Sequence, residues 1–140
     1  MMTMERYQAE QAVLFRHFPA NRFGFIWDAH PRLEVILPLA QFNAVYKVKI
    51  YGMDKFPEGA PIVTPGMILA DCDGVAMTTP SRANHLIGVH NGETHLCIYS
   101  EWESKYTLNK TAHRAAMWLF AYHLHLRTGR SIESYLSHGH

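Results

Sequence analysis

Only two cysteines, Cys72 and Cys97, occur among the 140 residues, which excludes a disulfide scaffold and a four-thiolate zinc site and points to a reducing compartment. Charge is sparse and balanced: thirteen Lys and Arg stand against twelve Asp and Glu, for a net charge of +1. Neither a nucleic-acid surface nor a polybasic membrane patch is announced by such a balance. Long apolar runs are missing too. The most helix-like uncharged stretch, residues 115–126, falls short of the roughly twenty residues that cross a hydrocarbon core. The first six residues, Met1-Met2-Thr3-Met4-Glu5-Arg6, lack the apolar core and cleavage site of a signal peptide, so the expected location is cytoplasmic. No internal repeat is visible. What is present is a hydrophobic fraction of 48%, enough to build one buried core over residues 1–140 and to exclude a disordered chain.

Period changes along the chain predict an α+β domain. Over residues 4–18, Met4, Tyr7, Leu14 and Phe18 fall at helical spacing and Pro19 ends the run, which predicts an amphipathic N-terminal helix. Residues 22–27, 33–37 and 44–51 are short, rich in branched and aromatic side chains, and separated by turn residues, as expected of an antiparallel strand meander. In the third, Tyr46, Val48 and Ile50 alternate with Lys47, Lys49 and Tyr51, so one face is expected to be packed and the other wet. Residues 56–65 carry Pro57, Pro61 and Pro65 and are expected to form an extended edge or loop. A long irregular region follows to residue 93, with 67–69 and 75–77 as candidate short strands. A C-terminal helix closes the chain: Asn109 or Thr111 is its expected cap, Ala115, Trp118, Leu119, Tyr122 and Leu126 share a face, and Gly129 supplies the left-handed stop. Met117, Phe120, Ala121 and Leu124 make it apolar nearly all round, which calls for cover on more than one side.

Chemistry concentrates in the run His90-Asn91-Gly92-Glu93-Thr94-His95-Leu96-Cys97-Ile98-Tyr99. A thiol here follows an imidazole and a turn-forming Asn-Gly pair. A nucleophilic cysteine needs partial exposure and a group that assists attack, and His90, Asn91 and His95 are the candidate helpers. The competing reading is a small core residue between Leu96 and Ile98, the commonest fate of a free cysteine. Cys72 lies between Asp71 and Asp73, where like-charge repulsion disfavours thiolate, so it reads as a bystander.

The order His90, six residues, Cys97 within Leu96-Cys97-Ile98-Tyr99, then Trp102, and finally Ala116-Met117-Trp118-Leu119-Phe120-Ala121-Tyr122 closed by Thr128-Gly129 resembles the prokaryotic ubiquitin-conjugating-enzyme-like family. The resemblance covers mainly residues 85–130, and the upstream helix, meander and proline-rich stretch fit the same order. It implies a thioester carrier: Cys97 receives the C-terminus of a ubiquitin-like protein from an adenylating activating enzyme and passes it to an amine of a protein target. It also implies His90 as the supporting histidine, Asn91 as an oxyanion donor or loop brace, no metal or organic cofactor, and a setting in antiviral defence. The eukaryotic relatives have a His-Pro-Asn element, whereas here no proline intervenes and the asparagine lies nearer the cysteine.

Two rival readings remain at this level. Ten histidines invite a metal, and His85, His90, His95 and Cys97 are four zinc-ligand types in one region, although their spacing matches no common structural zinc pattern. His123 and His125 lie about 200° apart on a helix and are unsuited to share an ion. A metal- or redox-linked thiol protein, or a catalytically inactive ubiquitin-conjugating-like binding module, is therefore the alternative function. Lys47 and Lys49 read as a solvated strand face rather than a nucleic-acid surface.

Overall fold

A computed structural model describes residues 1–66, 75, 77 and 79–136. Helix α1 (Met4–His17) leads into strands β1 (Phe23–Ile26), β2 (Arg32–Leu39), β3 (Ala44–Tyr51) and β4 (Ile62–Thr64), then the hairpin β5 (Leu86–His90) and β6 (Glu93–Leu96), the long helix α2 (Leu108–Thr128) and a single turn α3 (Glu133–Leu136). All pairings are antiparallel, and the strands form one sheet in the order β1-β2-β3-β4-β6-β5. The architecture is the expected α+β arrangement of N-terminal helix, antiparallel sheet and C-terminal helix.

The register explains which face is dry. Leu33, Val35, Leu37 and Leu39 of β2 stand opposite Ile50, Val48, Tyr46 and Ala44 of β3, and all eight are buried. Alternation with period two puts this set on one face, and removing each of the larger aliphatic side chains from water contributes about 1.5–3 kcal/mol. Leu14 of α1 and Leu108, Ala112, Ala115, Trp118, Leu119 and Tyr122 of α2 complete the core. The alternate residues carry the wetter face: Glu34 holds Arg32 at 2.9 Å and Lys47 at 3.5 Å, and Lys49 lies 3.3 Å from Glu93, whereas Tyr51, expected on that face, is buried and donates its hydroxyl to Glu93.

Three details depart from the expectations. Residues 62–64 form an internal strand rather than an edge or loop, because Pro61 and Pro65 lie just outside and leave every residue between them an N–H for the ladder. The cap of α2 is Thr107, whose side chain accepts from Lys110 N–H at 3.1 Å. Thr111 lies inside the helix instead, and Asn109 Oδ1 is buried with no hydrogen-bond partner among the described residues. Cover on α2 is also one-sided: Ala121 joins the buried face, while Met117, Phe120 and Leu126 are exposed. Residues 67–69 and Cys72 lie outside the described residues, as does Ala76 of the expected strand 75–77, whose Val75 and Met77 are not in strands. No helix among the described residues is long and apolar enough to cross a membrane.

The two helices are joined by a buried carboxylate. Glu10, 2% exposed, accepts the Leu108 N–H at 2.6 Å and the Arg6 Nε–H at 2.9 Å. Arg6 in turn donates to the Tyr106 carbonyl at 2.8 Å. Leu108 opens α2, so its N–H has no partner within the helix, and a negative group beside it is favoured by the helix dipole as well. Replacing Glu10 by Ala is expected to lower unfolding free energy by about 2–3 kcal/mol, the desolvation cost of the orphaned amide plus the loss of a cap. Glu10→Gln, which keeps an acceptor, is expected to lose less. Equal midpoints for both variants and wild type in urea unfolding would contradict this account.

Candidate functional site

Cys97 is the first residue past β6, and two features hold it. Its N–H donates to the His85 carbonyl at 2.8 Å, one step beyond the Leu86–Leu96 pair that ends the hairpin ladder. Its thiol lies 3.6 Å from the Tyr99 carbonyl, which accepts from it. The residue is half-buried and its sulfur is free, at the wall of a cavity of about 800 Å3 bounded by the turn before β5, the segment after β6, α2 and α3.

The cavity walls are pinned by a few polar bonds. Ser81 and Leu86 exchange backbone hydrogen bonds at 3.0 and 2.8 Å, closing a tight turn. Asn84, inside that turn, accepts the Trp118 indole N–H at its carbonyl (2.9 Å) and the Ile132 N–H at its Oδ1 (3.0 Å). Glu133 N–H reaches the Ala83 carbonyl at 2.8 Å. On the other wall, Arg114 donates to the Ile98 carbonyl at 3.2 Å and its guanidinium lies 4.9 Å from the Tyr99 ring centre. Tyr99 and Thr111 share a hydroxyl hydrogen bond at 2.8 Å. Farther along, the Trp102 indole donates to the Pro57 carbonyl at 2.8 Å. Trp102 thus anchors the chain that follows the thiol and takes no part in the cavity.

The expected helpers of Cys97 are elsewhere. His90 pairs with Glu93 at the turn end of the hairpin, about 13 Å of strand away from the Leu86–Leu96 end at 3.3 Å per residue. Its ring lies 5.2 Å from Tyr51 and 6.2 Å from His95. Asn91 occupies the turn itself with φ of 50°, and Gly92 follows at 79°. Those left-handed values are what a two-residue hairpin turn demands, and Asn-Gly supplies them at little steric cost. A placement of His90 and Asn91 beside the thiol is therefore corrected: the hairpin carries both to its far end. His95 stays near His90, and burial together with that neighbouring imidazole holds its pKa below the ordinary histidine range.

The histidine brought to Cys97 is His85. Both line the cavity, and its Nε2 contacts Glu133 Oε2, also on the cavity wall. Counting outward from a two-residue Asn91-Gly92 turn opposes Cys97 to Leu86, and the register irregularity between Leu86 and Gly88 moves the pairing by one residue and brings His85 to the thiol. Glu133 had no local signal, because it arrives from a turn beyond α2. Among the described residues no group of three or more His, Cys, Asp or Glu is placed to hold a metal ion, and β5 separates His85 from His90.

No protein-family model, no curated protein and no solved structure matches this chain.

Burial pushes the Cys97 thiol above the ordinary cysteine range. A raised pKa leaves the reactive thiolate scarce at neutral pH, and its fraction climbs tenfold per pH unit until the pKa is passed. Iodoacetamide labelling of Cys97, followed by peptide mass spectrometry, is expected to be slower than that of free cysteine at neutral pH and to be still rising where a model thiol, of pKa about 8.5, has levelled off. A plateau below pH 8 would show that the site activates the thiol instead.

Proposed function

We propose that this chain is a prokaryotic ubiquitin-conjugating-like acyl carrier, working in the cytoplasm and in an antiviral defence set. It takes the C-terminal acyl group of a ubiquitin-like protein from an adenylating activating enzyme as a thioester on Cys97 and delivers it to an amine of a protein target. The observation that carries the reading is the half-buried free thiol immediately after β6, set on an open cavity of about 800 Å3. The element order of helix, meander, proline-containing extended segment, thiol and long helix supports it, being the order that the resemblance implies. An acyl carrier needs a thiol accessible to a thioester and space beside it for an incoming nucleophile. A cysteine packed solely as core would offer neither.

The chemistry asks little more of the protein. Cys97 as thiolate attacks the thioester carbonyl, a tetrahedral intermediate forms, and the activating enzyme's thiolate leaves. The negative charge on the intermediate's oxygen requires a donor or cation nearby. Asn91 is out of position for that task, and Arg82 and Arg114 are the cations that line the cavity, with Arg114 bonded to the carbonyl of Ile98, the residue after Cys97. Metal and organic cofactors have no step to perform.

With the activating enzyme, the modifier and ATP, wild type is expected to give an adduct cleaved by reducing agent. Cys97→Ala is expected to abolish it, and Cys97→Ser to give an adduct that reducing agent leaves intact, because an oxygen ester has no thiol exchange. Adduct formation undiminished in Cys97→Ala would refute the assignment.

A further inference from the structure

We infer that His85 and Glu133 form the base of the second half-reaction: His85 takes the proton of the amine that attacks the Cys97 thioester, and Glu133 holds the imidazole for that task. The inference rests on the reading of Cys97 as an acyl carrier and deepens it by naming the amine's place, the cavity bounded by these three residues.

Geometry carries the assignment. The backbone bond from Cys97 N–H to the His85 carbonyl at 2.8 Å joins the two residues one step beyond the Leu86–Leu96 pair that ends the ladder. Both line one cavity with Glu133. The Glu133 carboxylate is an acceptor only, so its contact with Nε2 places the ring hydrogen there and leaves the lone pair on Nδ1. An imidazole oriented by a carboxylate through one nitrogen and basic at the other is the arrangement that general-base chemistry requires.

A purely mechanical role for the pair fits less well. His85 and Glu133 side chains are 27% and 45% exposed, and a polar contact of that exposure contributes about 0–1 kcal/mol even in its ionic form. The attachment of α3 is already made by the Ile132 N–H to Asn84 Oδ1 at 3.0 Å and the Glu133 N–H to the Ala83 carbonyl at 2.8 Å. His85 also adopts φ of 52°, a left-handed conformation that Asn or Gly would hold at lower cost.

The step balances without a further reactant. The amine nitrogen attacks the thioester carbonyl and its proton passes to His85 Nδ1. The C–S bond then breaks, the amide forms, and Cys97 sulfur leaves with the proton returned from the imidazolium. Thioester and amine become amide and thiol.

The test separates acyl uptake from acyl delivery. In a Cys72→Ser background, Cys97 is acylated with the thiophenyl ester of N-acetylglycine, and discharge to free lysine and to hydroxylamine is followed by mass spectrometry. Hydroxylamine attacks well without handing its proton to a protein base, whereas lysine does not. His85→Asn, which suits the left-handed backbone, is expected to slow discharge to lysine by about 100-fold while hydroxylamine discharge stays within about twofold. Glu133→Gln is expected to show the same selectivity at about tenfold. His85→Gly opens room for added imidazole, which is expected to restore lysine discharge, and it serves equally if the Asn variant fails to fold. Equal slowing with both nucleophiles would make the pair a latch and overturn the inference, as would no slowing in either variant. Failure of wild-type Cys97 to take up the acyl group would overturn the carrier reading along with it.

Discussion

A single long helix cannot cover a six-stranded sheet, and the cavity exists because of that mismatch. Six strands at 4.8 Å spacing make a surface about 24 Å across, while a helix with its side chains is about 10 Å wide. Helix α1 lies over β1, where Tyr7 meets Phe25 at 4.9 Å and Phe15 meets Phe23 at 5.0 Å between ring centres. Helix α2 lies over β2 and β3, with its His123 bonded to the Tyr46 hydroxyl at 2.8 Å. The remaining edge, β6 and β5, is closed by irregular chain: the carbonyls of Val75 and Met77 accept from Thr94 at 3.3 and 2.9 Å, and the 81–86 turn and α3 finish the wall. Chain of that kind fills space less completely than a helix face. The gap it leaves is where Cys97 opens.

Because the gap lies at the end of a hairpin ladder, the thiol is held with little freedom. Cys97 N–H is fixed by His85, the next carbonyl by Arg114, and the chain beyond by Trp102 on Pro57. Pro57 belongs to the stretch that opens with Phe56, which lies 5.0 Å beneath the Arg6 guanidinium. The same Arg6 serves Glu10 at the start of α2.

What was legible in the sequence follows from the range of each interaction. The alternation Tyr46, Val48, Ile50 against Lys47, Lys49 states its own faces, and the register bears it out. The α2 stop at Gly129, with φ of 76°, is local as well. The cap at Thr107 was missed because Asn109 and Thr111 are equally good cap types, and the choice is made by Glu10 from 98 positions away. Proline density hid β4, since composition reports a broken stretch and not where the breaks fall. At the candidate site, residue type drew attention to Cys97, but nearness in sequence misled about its neighbours. His90 lies seven positions before Cys97 and His85 twelve, yet a hairpin reverses direction and brings the farther one close.

A thiol of raised pKa imposes a requirement on both halves of acyl transfer. At rest it is protonated and slow toward stray electrophiles and oxidants, since those react with thiolate. In the proposed acylated state, the same property works against release, because a thiolate of high basicity is a poorer leaving group than an ordinary one. Aminolysis then depends on a group that removes the amine's proton and returns one to sulfur as the C–S bond breaks. Burial of Cys97 and the presence of a carboxylate-oriented imidazole across the same cavity are thus linked. In the proposed carrier, the first holds the cargo and the second lets it go.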